Sequence, residues 1–137
     1  MYAKRLGMMS PEKIRLLIVE EQPEVRRVMH MRLAAEADIF VIGEACDART
    51  AVVLASTLCP EIVLVDVDVP GANGMQIAAD IHDLCPQTAM IVLSMQDDPQ
   101  THSRALCSGA WALVDKSQPT EVLLAAIRDV AAGKVAY

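Results

Sequence analysis

The chain has 137 residues, of which 53% are hydrophobic and 22% charged, and its 12 basic and 18 acidic side chains leave a net charge of −6 at neutral pH. This length and apolar content suit one globular domain with its own core, and they exclude a disordered chain. The acidic balance counts against binding a nucleic-acid backbone, which requires clustered Lys and Arg, so we expect no DNA binding by this chain alone.

Short apolar runs alternate with segments of helical periodicity along the chain. The run IRLLIV at residues 14–19 is rich in branched side chains and too short for a helix, which predicts a buried strand. Pro23 suits the first turn of a helix, and apolar residues recur at helical spacing from there to about Ala37. The same alternation predicts strands at 40–44, 62–67, 90–93 and 111–114 and helices at 49–57, 75–84, 99–107 and 120–132.

Five strands, each followed by a helix, define the class of fold. Strands that are apolar throughout, without polar alternation, indicate a parallel sheet with helices on both faces. Right-handed crossovers then give a doubly wound α/β sheet. Gly133 ends the last helix, so the predicted domain covers residues 13–133 and follows a tail at 1–12.

The sequence carries no membrane or secretory signal. No apolar run reaches the ~18 residues of a membrane span, and the opening MYAKRLGMMSPEK has no apolar segment after its basic residues. We therefore expect no membrane partner and a cytoplasmic location.

The four cysteines are Cys46, Cys59, Cys85 and Cys107. They lie far apart in the sequence and form no CxxC pair. This spacing predicts buried, reduced thiols rather than a zinc site or a disulfide framework.

Polar residues gather at the edge of the sheet where the parallel strands end, which is where such sheets bind ligands. In chain order they are Glu20 and Glu21, Asp66, Asp68, Ser94, Asp115 and Lys116. Crowded carboxylates need a cation between them, hard oxygen ligands suit Mg²⁺, and a lysine adds a second positive charge. The set predicts a site where a carboxylate attacks a phosphoryl group, although each residue taken alone is equally explained as a solvated loop residue.

The stretch PEIVLVDVDVPGANGMQ resembles the phosphoacceptor block of the receiver domains of two-component response regulators. In that family an aspartate ends the third strand and is followed by a proline and a glycine, which here are Asp66, Pro70 and Gly74. The segments IRLLIVEEQP, MIVLSMQDDP and GAWALVDKSQP are similar to the family's acidic pair, Ser/Thr segment and Lys segment, in the same order. The resemblance implies the flavodoxin-like (βα)5 receiver fold with strand order 2-1-3-4-5.

The resemblance also implies a chemical role for the acidic residues. Asp66 would accept a phosphoryl group from a histidine kinase, so that the chain is a signalling domain that promotes only its own phosphorylation and dephosphorylation. Mg²⁺ would be held by Glu20, Glu21, Asp66 and the backbone carbonyl of Asp68. The Glu-Glu pair departs from the family, which usually has at least one Asp there, and Asp68 is an extra acid beside the phosphoacceptor.

Three further residues follow from the same resemblance. Ser94 would hydrogen-bond the bound phosphoryl group, and Lys116 would pair with it. Leu113 occupies the position where the family usually carries a Tyr or Phe that turns inward on activation. By strand alternation Trp111 lies on the same face as Leu113, where a simple core or interface anchor is the favoured role and partial replacement of the aromatic residue is the alternative.

The end of the chain, EVLLAAIRDVAAGKVAY, looks like the last receiver helix and linker of members that continue into a helix-turn-helix DNA-binding domain. We therefore expect residues 134–137 to begin a linker within a longer transcriptional regulator, a stand-alone receiver being the alternative. The resemblance also implies a possible homodimer, with two alternative interfaces. One comprises the fourth helix, fifth strand and fifth helix, and the other the first and fifth helices.

Two other functions fit parts of the sequence. The residues DVDV at 66–69 match the nucleophile motif of haloacid-dehalogenase-type phosphatases, although that motif normally ends a first strand and here two strand and helix units precede it. The Glu20–Glu21 pair and Leu113 also fit a pseudo-receiver, which folds alike but works as an interaction module without phosphorylation.

Overall fold

The computed structural model describes residues 13–67, 74–95, 99–107 and 109–134. Strands and helices alternate along this part of the chain, and each predicted element is present. The strands are β1 (Ile14–Val19), β2 (Ile39–Ala45), β3 (Ile62–Asp66), β4 (Ala89–Ser94) and β5 (Ala112–Asp115), and the helices are α1 (Pro23–Ala34), α2 (Ala48–Leu58), α3 (Gly74–Leu84), α4 (Pro99–Cys107) and α5 (Thr120–Ala131). None of the helices among these residues combines the length and apolarity that crossing a bilayer requires.

The strands form one parallel sheet in the order β2-β1-β3-β4-β5, which confirms the predicted doubly wound topology. From β1 the chain moves first to β2 on one side and then to β3 on the other. The crossover loops at the ends of β1 and β3 therefore diverge and leave a crevice between them. Ligands bind at this switch point in sheets of this class.

Helices cover both faces of the sheet. Leu17, Val63 and Val92 point to one face, where they pack with Ala55 of α2 and Ile81 of α3. We call this the α2/α3 face. All five residues of β3 are buried, as a strand covered on both sides requires.

The opposite face of the sheet packs against the first and last helices. Leu16, Leu64 and Ile91 lie there with Leu33 of α1 and Ile127 of α5, and we call this the α1/α5 face. Each of these side chains is fully buried or nearly so, and burial of each contributes roughly 1.5–3 kcal/mol to stability. The two faces together fix the sheet that carries the polar edge.

Two helix ends show why the predicted bounds were close. The N–H groups of Gly133 and Lys134 donate to the carbonyls of Val130 and Asp129, both at 2.9 Å, and Gly133 has the positive φ of 87° that this cap needs. The start of α2 was predicted one residue late, because Asp47 is its N-cap. Its side chain accepts the N–H of Thr50 at 2.8 Å.

The expectation that Trp111 shares a face with Leu113 is wrong. β5 begins at Ala112, and Trp111 packs on the α1/α5 face, whereas Leu113 packs on the α2/α3 face. Alternation of side chains holds only within the extended strand, and Trp111 lies at a bend before it. Trp111 therefore does not take the place of the aromatic residue at position 113.

The prediction of buried thiols is also wrong. Cys46, Cys59 and Cys107 are exposed and Cys85 is partly buried, although all four are free, as expected. The reason is their position. They lie at ends of helices or in the connection between β2 and α2, where the chain meets solvent.

Cys59 ends α2 in a left-handed conformation, with φ at 46°. An L-residue pays a steric cost there that glycine avoids. We expect Cys59→Gly to raise the free energy of unfolding by about 1 kcal/mol in urea denaturation. Cys59→Ala is the control, because it removes the thiol and keeps the strain. Equal stability of the two variants would contradict this account.

Candidate functional site

Two buried carboxylates face each other at the switch point of the sheet. Glu20 follows β1 directly, and Asp66 is the last residue of β3, the neighbouring strand. Their exposed fractions are 2% and 5%. Carboxylates this well shielded from water require a compensating cation, because burial of an unpaired charge is costly.

Lys116 supplies that cation. It follows β5, and its Nζ donates to Glu20 Oε1 at 3.0 Å and to Asp66 Oδ2. Burial alone would lower the pKa of Lys116, but the hydrogen bonds and charges of Asp66 and Glu20 outweigh it and raise the pKa above its usual value. The lysine therefore stays charged at physiological pH and bridges β1 and β3 from the far side of β4.

The intervening strand β4 aligns these groups. Its last residue, Ser94, is buried, and its carbonyl accepts the backbone N–H of Lys116 at 2.9 Å. Ser94 pairs with Asp115 in the sheet, while Asp66 pairs with Leu93. The register of three parallel strands thus brings the ends of β3, β4 and β5 to one edge.

The loop after β1 is held by a residue that sequence reasoning missed. Arg26, in the first turns of α1, donates from Nη1 to the backbone carbonyls of Glu20 at 2.8 Å and of Glu21 at 3.3 Å. The N–H of Gln22 donates to Glu20 Oε2 at 3.1 Å. This hydrogen bond holds the Glu20 carboxylate on the pocket side of the loop. In the sequence, the signal for this role of Arg26 was a basic residue a few positions after the acidic pair.

The other predicted site residues differ in exposure and in hydrogen-bond partners, and one of them lies outside the described residues. Glu21 is exposed. Hydrogen bonds from the hydroxyl and the N–H of Ser117, at 2.7 and 2.8 Å, occupy Asp115 and hold its pKa below its usual value. Leu113 is partly buried on the α2/α3 face. Asp68, with its backbone carbonyl, lies outside the described residues.

The donor set of the pocket fits a hard divalent cation. Glu20 and Asp66 offer carboxylate oxygens, the ligands that Mg²⁺ prefers, and the exposed Glu21 follows Glu20 directly in the chain. Among the described residues no group of three His, Cys, Asp or Glu side chains is arranged to hold a metal ion. The ammonium of Lys116 now provides the positive charge between the two buried carboxylates.

A groove of about 370 Å³ opens beside the pocket, between α1 and the start of α5. Val28 and Leu123 belong to its mainly apolar lining, which also includes Lys116. Arg32 of α1 donates to Thr120 Oγ1 at 2.7 Å and so joins the two helices at this groove. The pocket and an apolar surface are thus adjacent.

Fold and pocket together define a doubly wound α/β protein with a carboxylate and lysine site at the switch point of its sheet. The family model for the response regulator receiver domain matches residues 16–128. The chain belongs to the family of response regulator receiver domains. Membership in this family leaves no support for the phosphatase alternative, whose motif was expected on a first strand.

The similar proteins are named as regulators. The chain is 31% identical to the uncharacterized transcriptional regulatory protein YxjL of Bacillus subtilis, over 94% of this chain and 59% of that protein. It is 27% identical to the nitrate/nitrite response regulator protein NarL of Escherichia coli, over 93% of this chain and 59% of that protein. The chain thus spans about three fifths of the length of these curated relatives.

Solved structures agree with this assignment. A two-component response regulator of the LuxR family from Aurantimonas sp. SI85-9A1 superposes with a TM-score of 0.88 at 26% identity, covering 92% of this chain and 90% of that one. The signal receiver domain of NarL from Mycobacterium tuberculosis has a TM-score of 0.86 at 29% identity, covering 90% of this chain and 100% of that one. The receiver fold with strand order 2-1-3-4-5 is therefore confirmed.

Removal of the lysine tests the electrostatics of the pocket. We expect Lys116→Met to lower the free energy of unfolding by roughly 2 kcal/mol at neutral pH, because Glu20 and Asp66 lose their shared cation. Since the pKa of Lys116 is raised in the folded state, its contribution persists below the unfolded value of about 10.4 and is lost as the pH rises through the folded value. Denaturant unfolding of both proteins from pH 7 to strongly alkaline pH checks this.

Lys13→Met is the matched control, because Lys13 is exposed and its loss changes the net charge equally. An equal loss of stability in the two variants, or a difference that grows above pH 10.4, would contradict a charged lysine in the pocket.

Proposed function

We propose that this receiver domain is a phosphorylation switch in which Asp66 accepts a phosphoryl group from a histidine kinase in a Mg²⁺-dependent reaction. The observation that carries the proposal is the buried Asp66 at the switch point. Lys116 donates hydrogen bonds both to Asp66 and to the neighbouring Glu20. A carboxylate held there is a nucleophile with a fixed cation beside the position of the incoming phosphate.

The reaction follows from the positions of these groups. A carboxylate oxygen of Asp66 attacks phosphorus while the P–N bond of the kinase phosphohistidine breaks, and the electron pair leaves with the imidazole, which takes a proton from solvent. Lys116 offsets charge on the phosphoryl oxygens, and the Ser94 hydroxyl donates a hydrogen bond to one of them. Such preorganised charge is most of what phosphoryl transfer needs from a protein.

The divalent cation would be held by Glu20, Glu21, Asp66 and the backbone carbonyl of Asp68. When bound, Mg²⁺ supplies the positive charge that lets a phosphate dianion approach several carboxylates. Glu side chains are one methylene longer than Asp side chains. The positions of the Glu20 and Glu21 carboxylates therefore depend on the loop backbone, which Arg26 holds by hydrogen bonds. The oxygen chemistry of the set supports Mg²⁺ over softer metals.

The output proposed for the whole protein is control of transcription. The support is the naming of its relatives as transcriptional regulatory proteins, of which this chain matches about three fifths. A cytoplasmic location follows from this role. A homodimer remains a prediction, and of its two surfaces the one formed by α1 and α5 carries the apolar groove and the half-exposed Val28.

Readout of phosphorylation must differ from that of family members with an aromatic residue on β5. Leu113 is smaller than Tyr or Phe and has no polar tip, and it already packs partly buried on the α2/α3 face. A change at the phosphorylated pocket then passes chiefly through the connection after Ser94 and through α4, whose described side chains are all exposed.

Intact-mass measurement tests the phosphoacceptor. With acetyl phosphate and Mg²⁺ we expect a mass gain of one phosphoryl group, lost in Asp66→Asn and in excess chelator. Asp115→Asn is the matched control, since Asp115 lies at the same sheet edge but is bonded to Ser117. A gain that survives Asp66→Asn would refute the assignment. No gain, together with no beryllofluoride trapping at Asp66, would favour the pseudo-receiver.

The metal ligands are tested separately from folding. We expect Glu21→Gln to raise the Mg²⁺ concentration for half-maximal phosphorylation roughly tenfold, which corresponds to about 1.4 kcal/mol of binding free energy. Its exposed side chain predicts no change in unfolding. Glu24→Gln, also exposed and on α1, should leave both quantities unchanged. Equal Mg²⁺ titrations of Glu21→Gln and the wild type would exclude Glu21 from the metal site.

A further inference from the structure

Two of the four cysteines meet at the ends of consecutive helices. Cys59 follows the last residue of α2, and Cys85 follows the last residue of α3. Their thiols donate to neighbouring carbonyls of the last turn of α2, Cys59 to Ser56 at 3.8 Å and Cys85 to Ala55 at 3.6 Å. Both thiols therefore approach the carbonyls of adjacent residues in one helical turn. The packing of α2 against α3 thus sets up a thiol pair that their distant sequence positions gave no reason to expect.

The members of the pair differ in their surroundings. Cys59 is exposed, and Cys85 is partly buried. Burial raises the pKa of the Cys85 thiol, and the proximity of Cys59 raises it further. Cys59 is therefore the thiol that solvent oxidants reach first, and Cys85 is held neutral beside it.

A cation lies at the same helix end. Arg15 of β1 donates from Nη1 to the carbonyl of Cys59 at 2.7 Å and from Nη2 to the carbonyl of Leu58 at 2.5 Å. Its positive charge offsets the negative end of α2, which would otherwise oppose a thiolate. Reactive cysteines are typically exposed and adjacent to a basic residue.

We propose that Cys59 and Cys85 form a reversible modification site, a dithiol that peroxides oxidise to an intramolecular disulfide. The Cys59 thiolate attacks a peroxide oxygen, the O–O bond breaks, and Cys59 becomes a sulfenic acid while hydroxide leaves. The Cys85 sulfur then attacks the Cys59 sulfur, the S–O bond breaks, and water leaves with the proton of the Cys85 thiol. Two thiols and one peroxide thus give one disulfide, and a reducing dithiol reverses the change.

The pair lies far from the phosphorylation chemistry. Cys59 precedes β3 and Cys85 precedes β4, so both lie at the amino edge of the sheet, opposite the edge that carries Asp66. Oxidation therefore leaves the carboxylate pocket open. Oxidation of the pair does not require phosphorylation, so Asp66→Asn should form the same disulfide as the wild type.

Mass spectrometry of the whole chain after treatment with excess hydrogen peroxide and quenching by an alkylating reagent tests the site. We expect disulfide formation to remove about 2 Da from the chain, before the mass of the alkyl groups is counted. Two thiols instead of four should then be alkylated, and the digest should contain a peptide that joins Cys59 to Cys85. The wild-type peptide map needs no variant and so does not depend on how a substitution folds. Dithiothreitol should restore four alkylated thiols.

Two pairs of variants make the assignment specific. Cys59→Ser and Cys85→Ser should each abolish the intramolecular product, whereas Cys46→Ser and Cys107→Ser, which change exposed thiols outside the pair, should retain it. Linkage through Cys46 or Cys107 would overturn the proposal. So would wild-type protein that gives only disulfides between chains or only sulfinic and sulfonic acids.

Discussion

The hydrogen bonds of Lys116 to Glu20 and Asp66 are the interaction around which the polar edge of this protein is organised. Two carboxylates with 2% and 5% exposure are tolerable only with a cation between them. The three residues lie at the carboxyl ends of β1, β3 and β5, so the interaction exists only when those strands are in register. The apolar faces of the sheet supply the stability that holds this register in place.

The fold was predictable because its pattern is local. The inner strands β1, β3 and β4 consist mainly of branched apolar residues, and such runs without polar alternation are typical of a sheet covered on both faces. The predicted bounds were wrong only by a few residues, at the ends of elements, where a single residue determines where a helix or strand begins or ends. Asp47 begins α2 one residue earlier than the apolar pattern does, α1 ends at Ala34 before its predicted limit, and the bend at Trp111 delays β5.

The site was predictable as a set of strand-end residues, but not as an arrangement of side chains. Glu20 and Glu21 are adjacent and alike in sequence, yet one is buried and the other exposed, because Arg26 and the N–H of Gln22 fix the loop after β1. The contact between Cys59 and Cys85 depends on the packing of two helices. Such contacts arise from tertiary structure, which no local spacing encodes.

The charges of Lys116, Glu20 and Asp66 determine what the pocket needs in order to bind a phosphoryl group. Lys116 stays charged across the physiological range, because Asp66 and Glu20 raise its pKa. Two carboxylates and one ammonium leave the pocket with an excess of negative charge, which a phosphate dianion would increase further. A fixed lysine cannot offset both charges, which is why the proposed phosphorylation includes a divalent cation. In the proposed switch, the variable component is therefore that cation, because the charge of the lysine stays constant.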